Sequence, residues 1–210
     1  DDALAERFGP RARALPPAAQ KLLIPALCGF QGRALYVEPS VLVFGDVSEL
    51  ARGDVAGAAA QAPLDGPASL LLLDAGRAAW DPEKVISAAA AEPADLDRLL
   101  LPRLTQGIGK LEDAWSRCDA PTLETAAIRL TCEPWMPWLS GHHPAAWAWE
   151  AMLAAAIADG AVTPRELEIA ARDGSLRPEL SQAPASLQAA AATDPAGQGA
   201  PAPTAGPLSR

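Results

Sequence analysis

The sequence predicts an α/β domain, because β-forming runs alternate with segments of helical spacing over most of its 210 residues. Three apolar runs carry this prediction: residues 34–37 (ALYV), 41–44 (VLVF) and 69–75 (SLLLLDA). The last run is apolar on both faces, so we expect it in the middle of a sheet that is covered on two sides. From residue 181 onward the chain is mostly Ala, Pro, Gly, Ser and Gln, which bury too little apolar surface to order. We therefore expect one domain over residues 1–180 and a disordered tail over residues 181–210.

The N-terminal part is predicted to be helical before it enters the first two strands. Apolar residues at helical spacing predict helices over residues 2–15 and 18–27, the second ending at Gly29. After the two strands, Asp46 has the chemistry of a helix N-cap. This signal predicts a short surface helix over residues 46–52.

The middle of the chain alternates between the two kinds of element. Residues 55–61 predict a weak strand, and Asp81 followed by proline begins a helix through residue 90. A further helix is predicted over residues 93–101 and a strand over residues 124–132. No internal repeat is present.

The C-terminal part of the domain predicts two helices. The first covers residues 145–158 and ends at Gly160. Its expected apolar face consists of Trp149, Met152, Leu153 and Ala156. Thr163 and Glu166 form a capping-box pattern that begins the second helix.

Composition excludes several classes of function. The net charge of −9 argues against general affinity for nucleic acid or anionic membranes. No stretch approaches the ~20 apolar residues of a membrane span, and the N-terminus lacks a signal-peptide pattern, so we expect a cytoplasmic protein. Three cysteines without close spacing, Cys28, Cys118 and Cys132, are expected to be reduced thiols.

Three segments, taken in order, resemble bacterial proteins similar to glycosyltransferase family 8: residues 24–50, 69–85 and 129–180. The resemblance implies the GT-A fold, a mixed sheet between helices that binds a nucleoside diphosphate sugar at the carboxyl ends of its strands. It also implies hexosyl transfer to a saccharide or lipid acceptor with the help of Mn²⁺ or Mg²⁺. Residues 1–33 are shorter than the nucleotide-binding unit of such a fold, so the chain is either a fragment or a form that has lost this unit.

The family's metal-binding Asp-x-Asp pattern stands here as Glu38, Pro39 and Ser40. A divalent cation clamps the two phosphates of a sugar nucleotide, and hard carboxylate oxygens hold it. By resemblance, Glu38 and Ser40 are the candidates for contact with the metal. Ser40 offers only a neutral hydroxyl, and Pro39 restricts the loop.

Other positions implied to contact substrate depart from the family pattern in the same way. Arg129 stands where the family has a metal-binding histidine, and its guanidinium is suited to pair with a diphosphate directly. Trp115 and Ser116 stand where related proteins have Trp-Asn. Trp138, in the segment ending in Pro-Trp, is the expected aromatic contact with a sugar.

A second group of residues allows two interpretations each. Asp74 ends the SLLLLDA run, where it would act as a catalytic residue facing the sugar or would cap the following turn. His142 and His143, near Cys132, would form a metal site or be ordinary structural residues, and their adjacency favours the second interpretation. The tryptophans of the second half would form core or a sugar-stacking wall.

Two functions from different classes therefore stay open. The first is a glycosyltransferase that uses Glu38, Ser40 and Arg129 at the diphosphate. The second is a non-catalytic remnant or interaction module of the same fold, as the degenerate acidic motif indicates. A metal-binding regulator built on Cys132, His142 and His143 is a distant third hypothesis.

Overall fold

The computed structural model describes residues 2–53, 55, 57–63, 68–78, 80–91, 108–131 and 135–182. The chain divides into two compact units, Asp1–Glu133 and Pro134–Arg210. The predicted helix over residues 93–101 and nearly all of the predicted tail lie outside the described residues, as does Cys132.

The N-terminal helical region consists of short pieces rather than two continuous helices. Its elements are α1 Asp2–Phe8, α2 Pro10–Arg13, α3 Pro17–Gln20, a 3₁₀ turn Lys21–Leu23 and α4 Ile24–Leu27. The helix predicted over residues 2–15 is wrong in its continuity, because Gly9 has φ 82° and Pro10 begins a new helix. Gly29 has φ 65° and ends the region as expected.

Among the described residues, seven strands form two sheets, which confirms the mixed α/β class. The strands are β1 Arg33–Val37, β2 Val41–Val43, β3 Ala60–Ala62, β4 Leu70–Asp74, β5 Ile108–Lys110, β6 Arg117–Cys118 and β7 Ala127–Arg129. The first sheet has the order β1-β4-β3-β5, with β4 antiparallel to both neighbours and β3 parallel to β5. The second sheet has the order β2-β7-β6, so the consecutive strands β1 and β2 belong to different sheets.

Strand β4 is the centre of the first unit, as its two-sided apolar pattern predicts. Leu71 and Leu73 pack with the N-terminal helices in one buried cluster, and Leu70 and Leu72 pack with Trp115 in another. None of the four leucines is more than 1% exposed. Burial of this kind stabilises by roughly 1.5–3 kcal/mol per side chain.

Two helices of this unit begin where their capping residues predict. Helix α5, Val47–Arg52, has Asp46 as N-cap, and the hydrogen bonds from the hydroxyl and then the backbone N–H of Ser48 lower the pKa of the Asp46 carboxyl. Helix α6, Pro82–Ala91, begins with Asp81, which accepts a hydrogen bond from the N–H of Glu83.

The second unit contains helices α7 Ala146–Ala158, α8 Pro164–Arg172 and α9 Pro178–Gln182. The face predicted for α7 is partly wrong, since Met152 is 38% exposed while Ala146, Ala148, Leu153 and Ile157 are buried. Apolar residues occur all round this helix, so their spacing does not select a face. The helices enclose a buried cluster of Leu153, Ile157, Leu167, Leu176 and Leu180.

Helix α8 begins with the predicted capping box. Thr163 and Glu166 exchange hydrogen bonds between side chain and backbone in both directions.

Within the described ranges, no helix has both the length and the apolar character needed to cross a membrane.

Replacement of Gly45 by alanine is expected to destabilise the first unit. An added Cβ would lie 2.9 Å from the Cβ of Ala126 and 3.0 Å from Cη2 of Trp115. We expect Gly45→Ala to cost about 1–3 kcal/mol of unfolding free energy, measured by urea denaturation. Gly76→Ala is the matched control, because its nearest contacts are 3.5 Å away. Equal stability of the two variants would contradict the close approach at Gly45.

The capping box of α8 predicts a pH-dependent contribution to stability. Hydrogen bonds from the backbone N–H and then the hydroxyl of Thr163 lower the pKa of Glu166 from its ordinary value of 4.5. The contribution is therefore fully present above about pH 4.5 and is lost as the pH falls through the lowered pKa. We expect the wild-type protein to exceed Glu166→Gln in unfolding free energy at about pH 6.5 and to lose this advantage near pH 3. Glu168→Gln, on the same helix but outside the box, is the control; a pH-independent difference for Glu166→Gln would refute the assignment.

Candidate functional site

The segment Glu38, Pro39 and Ser40 is a tight turn that joins the two sheets of the first unit. The N–H of Val41 donates to the carbonyl of Glu38 at 3.0 Å, which closes a β-turn with proline at its second position. The N–H of Glu38 donates to the carbonyl of Ser69 and the N–H of Leu130 to the carbonyl of Ser40, both at 2.8 Å. The backbone of the predicted metal motif is thus bonded to β4 on one side and to β7 on the other.

The carboxylate of Glu38 is paired with a buried lysine that the sequence analysis missed. Lys21 is 1% exposed, and its Nζ lies 3.5 Å from Oε1 of Glu38 and 3.0 Å from the carbonyl oxygen of Ala68. The same ammonium lies 5.4 Å from the centroid of the Tyr36 ring. Its signal in the sequence is a lone lysine within the apolar segment that contains Leu22 and Leu23. Glu38 therefore supplies the counter-charge of Lys21.

A divalent cation does not fit Glu38 and Ser40 as the structure places them. The Glu38 side chain faces an ammonium group that already provides its positive charge, and Ser40 has no carboxylate to add. Among the described residues, no three side chains of His, Cys, Asp or Glu lie together in a way that would hold a metal ion. The nearby Ser69 hydroxyl is buried and has no hydrogen-bond partner within the same residues.

Three residues predicted to contact substrate come together beside this turn. Trp115, Ser116 and Arg129 line a narrow cleft with Val41 and Leu70. They lie on separate parts of the chain, since Trp115 ends a 3₁₀ turn, Asp113–Trp115, and Arg129 ends β7. The cleft has room for little more than a water molecule, so it presents side chains at a surface and does not enclose a ligand.

The register of the second sheet orients Arg129. Arg129 pairs with Val41 across β2 and β7 and with Cys118 across β6 and β7. Its Nη2 lies 3.5 Å from Sγ of Cys118. Since paired residues point to the same side of a sheet, Arg129 shares the face of Val41, which packs against the cluster around Trp115.

Asp74 lies at the opposite end of the first sheet from Glu38. β1 and β4 are antiparallel, so Asp74 pairs with Arg33 at the start of β1, whereas Glu38 follows its end. Oδ1 of Asp74 accepts hydrogen bonds from the N–H groups of Gly76 and Arg77, both at 3.1 Å, and Oδ2 lies 3.4 Å from Nε of Arg77. This is the turn-capping arrangement, and the structure does not bring Asp74 together with the other candidates.

Trp138 and the two histidines belong to the second unit. Trp138 packs against Trp149, with ring centroids 6.1 Å apart and planes inclined at 49°. His143 is buried, and its Nδ1 accepts a hydrogen bond from the N–H of Ala145, while His142 is exposed. Trp135 and Trp147 are 60% and 66% exposed, so the tryptophans of this unit are divided between core and surface.

A larger cavity adjoins Trp115, and the sequence analysis missed it. Its volume is about 270 Å³, and it is lined by Glu49, Leu50, Gly53, Gln61, Glu112 and Trp115. These residues come from α5, β3 and the segment before the 3₁₀ turn, so no local pattern could have predicted their association.

Comparison with known proteins gives similarity to glycosyltransferases at low identity. No protein-family model matches the chain. No curated protein matches it significantly either. The structure of the glycosyltransferase GlyE of Streptococcus pneumoniae TIGR4 is similar over 56% of this chain and 38% of its own, with 16% identity and a TM-score of 0.44. The galactosyltransferase LgtC, in complex with donor and acceptor sugar analogues, is similar over 61% of this chain and 65% of its own, with 15% identity and a TM-score of 0.46. The chain spans less than two thirds of the length of either protein.

Removal of the Glu38 carboxylate is expected to destabilise the first unit. Glu38→Gln removes the carboxylate that lies 3.5 Å from the buried ammonium of Lys21, and we expect a loss of about 2 kcal/mol, below the range for fully buried pairs because the Glu38 side chain is 24% exposed. Urea denaturation measures this loss, and the exposed Glu124→Gln is the control. Lys21→Met in the Glu38→Gln background should restore most of the stability. Unchanged stability of Glu38→Gln would show that the carboxylate does not serve Lys21.

Proposed function

We propose that the chain is a glycosyltransferase-like domain that binds a nucleoside diphosphate sugar at the surface of the cleft around Arg129. The observation that supports this proposal is the association of Trp115, Ser116 and Arg129, three positions that the family resemblance assigns to substrate. The acceptor of the transferred sugar would be a saccharide or a lipid.

The chemistry of the cleft favours binding of the diphosphate without a metal ion. A guanidinium forms bidentate, charge-assisted hydrogen bonds with phosphate oxygens and compensates their charge directly. Arg129 would fill this role, with the Ser116 hydroxyl as an additional donor and the Trp115 indole as an apolar wall. Glu38 and Ser40 would then position the turn next to the diphosphate. Use of Mn²⁺ or Mg²⁺ stays a prediction from the resemblance.

Two further assignments stay predictions. If Asp74 is a catalytic residue, the sugar has to reach the opposite end of the first sheet. If Trp138 contacts the sugar, the second unit has to take part in binding. The cytoplasmic location is likewise a prediction from the sequence.

The second candidate is a non-catalytic remnant of the same fold that acts as an interaction module. The observation that favours it is the pairing of Glu38 with Lys21, which commits the one acidic residue of the motif to the stability of the fold. The narrow cleft agrees with this candidate as well.

Calorimetric titration with UDP-glucose and UDP-galactose separates the two candidates. We expect one of the donors to bind in the presence of EDTA, and we expect Arg129→Gln to weaken this binding roughly 10- to 100-fold, as for loss of a hydrogen bond to a charged group. Arg172→Gln, on the exposed side of α8, is the matched control.

Each alternative outcome has a definite meaning. Binding that requires Mn²⁺ would reject the metal-free arrangement and return Glu38 and Ser40 to the role of ligands. Absence of binding with and without Mn²⁺ would reject the sugar-nucleotide site and leave the non-catalytic module.

A further inference from the structure

We propose that the cavity lined by Glu49, Gln61, Glu112 and Trp115 binds a small organic cation, a molecule with an alkylated ammonium group. This site shares Trp115 with the proposed sugar-nucleotide cleft, but carboxylates line it where the cleft has Arg129. Its volume of about 270 Å³ is close to the lower limit of small-ligand pockets, so it suits a molecule of few atoms.

The floor of the cavity is apolar and held in place. Leu50 and Trp115 are both buried members of the cluster beneath β4. The six-membered ring of Trp115 is confined by the close approach at Gly45, and the N–H of Trp115 donates to the carbonyl of Glu112 at 2.9 Å. An indole held in this way offers a fixed surface to a cation, and tryptophan is the best aromatic partner for this interaction.

One wall of the cavity carries a polar group from the first sheet. Gln61 pairs with Leu72 across β3 and β4, so it points to the same side of the sheet as Leu72, toward the cluster that contains Trp115.

The rim of the cavity is negatively charged, and this sets the class of ligand. Glu49 lies on α5 and Glu112 precedes the 3₁₀ turn, so two independent segments bring carboxylates to the same cavity. Within the described part of the chain, neither carboxylate forms an ion pair or a side-chain hydrogen bond. Two charges of one sign beside an aromatic floor favour a cation over a neutral sugar.

The neighbouring basic side chains are engaged elsewhere. Lys110 pairs with Asp113, and the hydrogen bond from Lys110 lowers the pKa of the Asp113 carboxyl. The guanidinium of Arg33 donates to the carbonyl oxygens of Ala51 and Gly53 at the end of α5. Within the described residues, neither of these two cations forms an ion pair with Glu49 or Glu112, although the guanidinium of Arg33 keeps its charge beside Gly53.

The test compares choline with 3,3-dimethyl-1-butanol, a neutral molecule of the same shape. Calorimetry and the NMR shift of the Trp115 indole N–H are recorded with the full chain at low salt. We expect choline to bind with one-to-one stoichiometry and to shift the indole signal, and we expect the neutral molecule to bind at least tenfold more weakly. Added salt should weaken choline binding, because exposed charges are screened.

Substitutions at the rim locate the site. The double variant Glu49→Gln/Glu112→Gln should weaken choline binding roughly tenfold, from two exposed charge contacts of up to about 1 kcal/mol each. Both residues are exposed, so the fold should persist, and Glu124→Gln is the control of equal charge change. The single variants show whether the two carboxylates contribute separately.

Several results would overturn the proposal. They are the absence of choline binding at millimolar concentration, equal binding of the neutral molecule, and unchanged binding by the double variant. Binding of Ca²⁺ that shifts the same indole signal, without choline binding, would replace the organic cation by a metal ion. The UDP-sugar titration is read separately, through the effect of Arg129→Gln, because Arg129 does not line this cavity.

Discussion

The burial of the Lys21 ammonium is the constraint on which the first unit depends. Removal of an ammonium from water costs several kcal/mol unless charge and hydrogen bonds replace its hydration. The Glu38 carboxylate, the Ala68 carbonyl and the Tyr36 ring all contribute to this replacement. These groups belong to β1, the turn after it and the segment before β4. One side chain therefore links the N-terminal helices to the centre of the first sheet, and it does so at the turn where a metal motif was expected.

The antiparallel pairing of β1 and β4 has a second consequence for function. A five-residue strand spans roughly 17 Å, so Glu38 and Asp74 lie about that far apart at opposite ends of the same pair of strands. Each carboxylate has a local structural partner, Lys21 for Glu38 and the following turn for Asp74. Paired acid–base chemistry between these two residues is therefore excluded by distance.

Local signals predicted the parts of the fold that local energies decide. Asp46, Asp81 and Thr163 cap helices where expected, and β4 is central because four consecutive leucines need two apolar surfaces. Gly9 is itself a signal for a helix break. The apolar residues on either side of it keep helical spacing, however, and this spacing predicted one continuous helix. The assignment of β1 and β2 to different sheets was not predictable, because it depends on pairing with β4 and β7, which are distant in sequence. In the candidate site, the resemblance named Trp115, Ser116 and Arg129, and their role at a substrate stays a prediction. The positions of Lys21, Glu49 and Glu112 depend on long-range packing, which no local pattern shows.

Trp115 connects the two surfaces that carry the functional proposals. It lines both the cleft with Arg129 and the cavity with Glu49 and Glu112, so one ring separates a positively charged surface from a negatively charged one. Since Gly45 confines the ring, movement of Trp115 would alter the cleft and the cavity together, whereas replacement of a rim carboxylate would alter only the cavity. The two surfaces therefore share one confined ring, and they differ in the charge of the side chains that lie beside it.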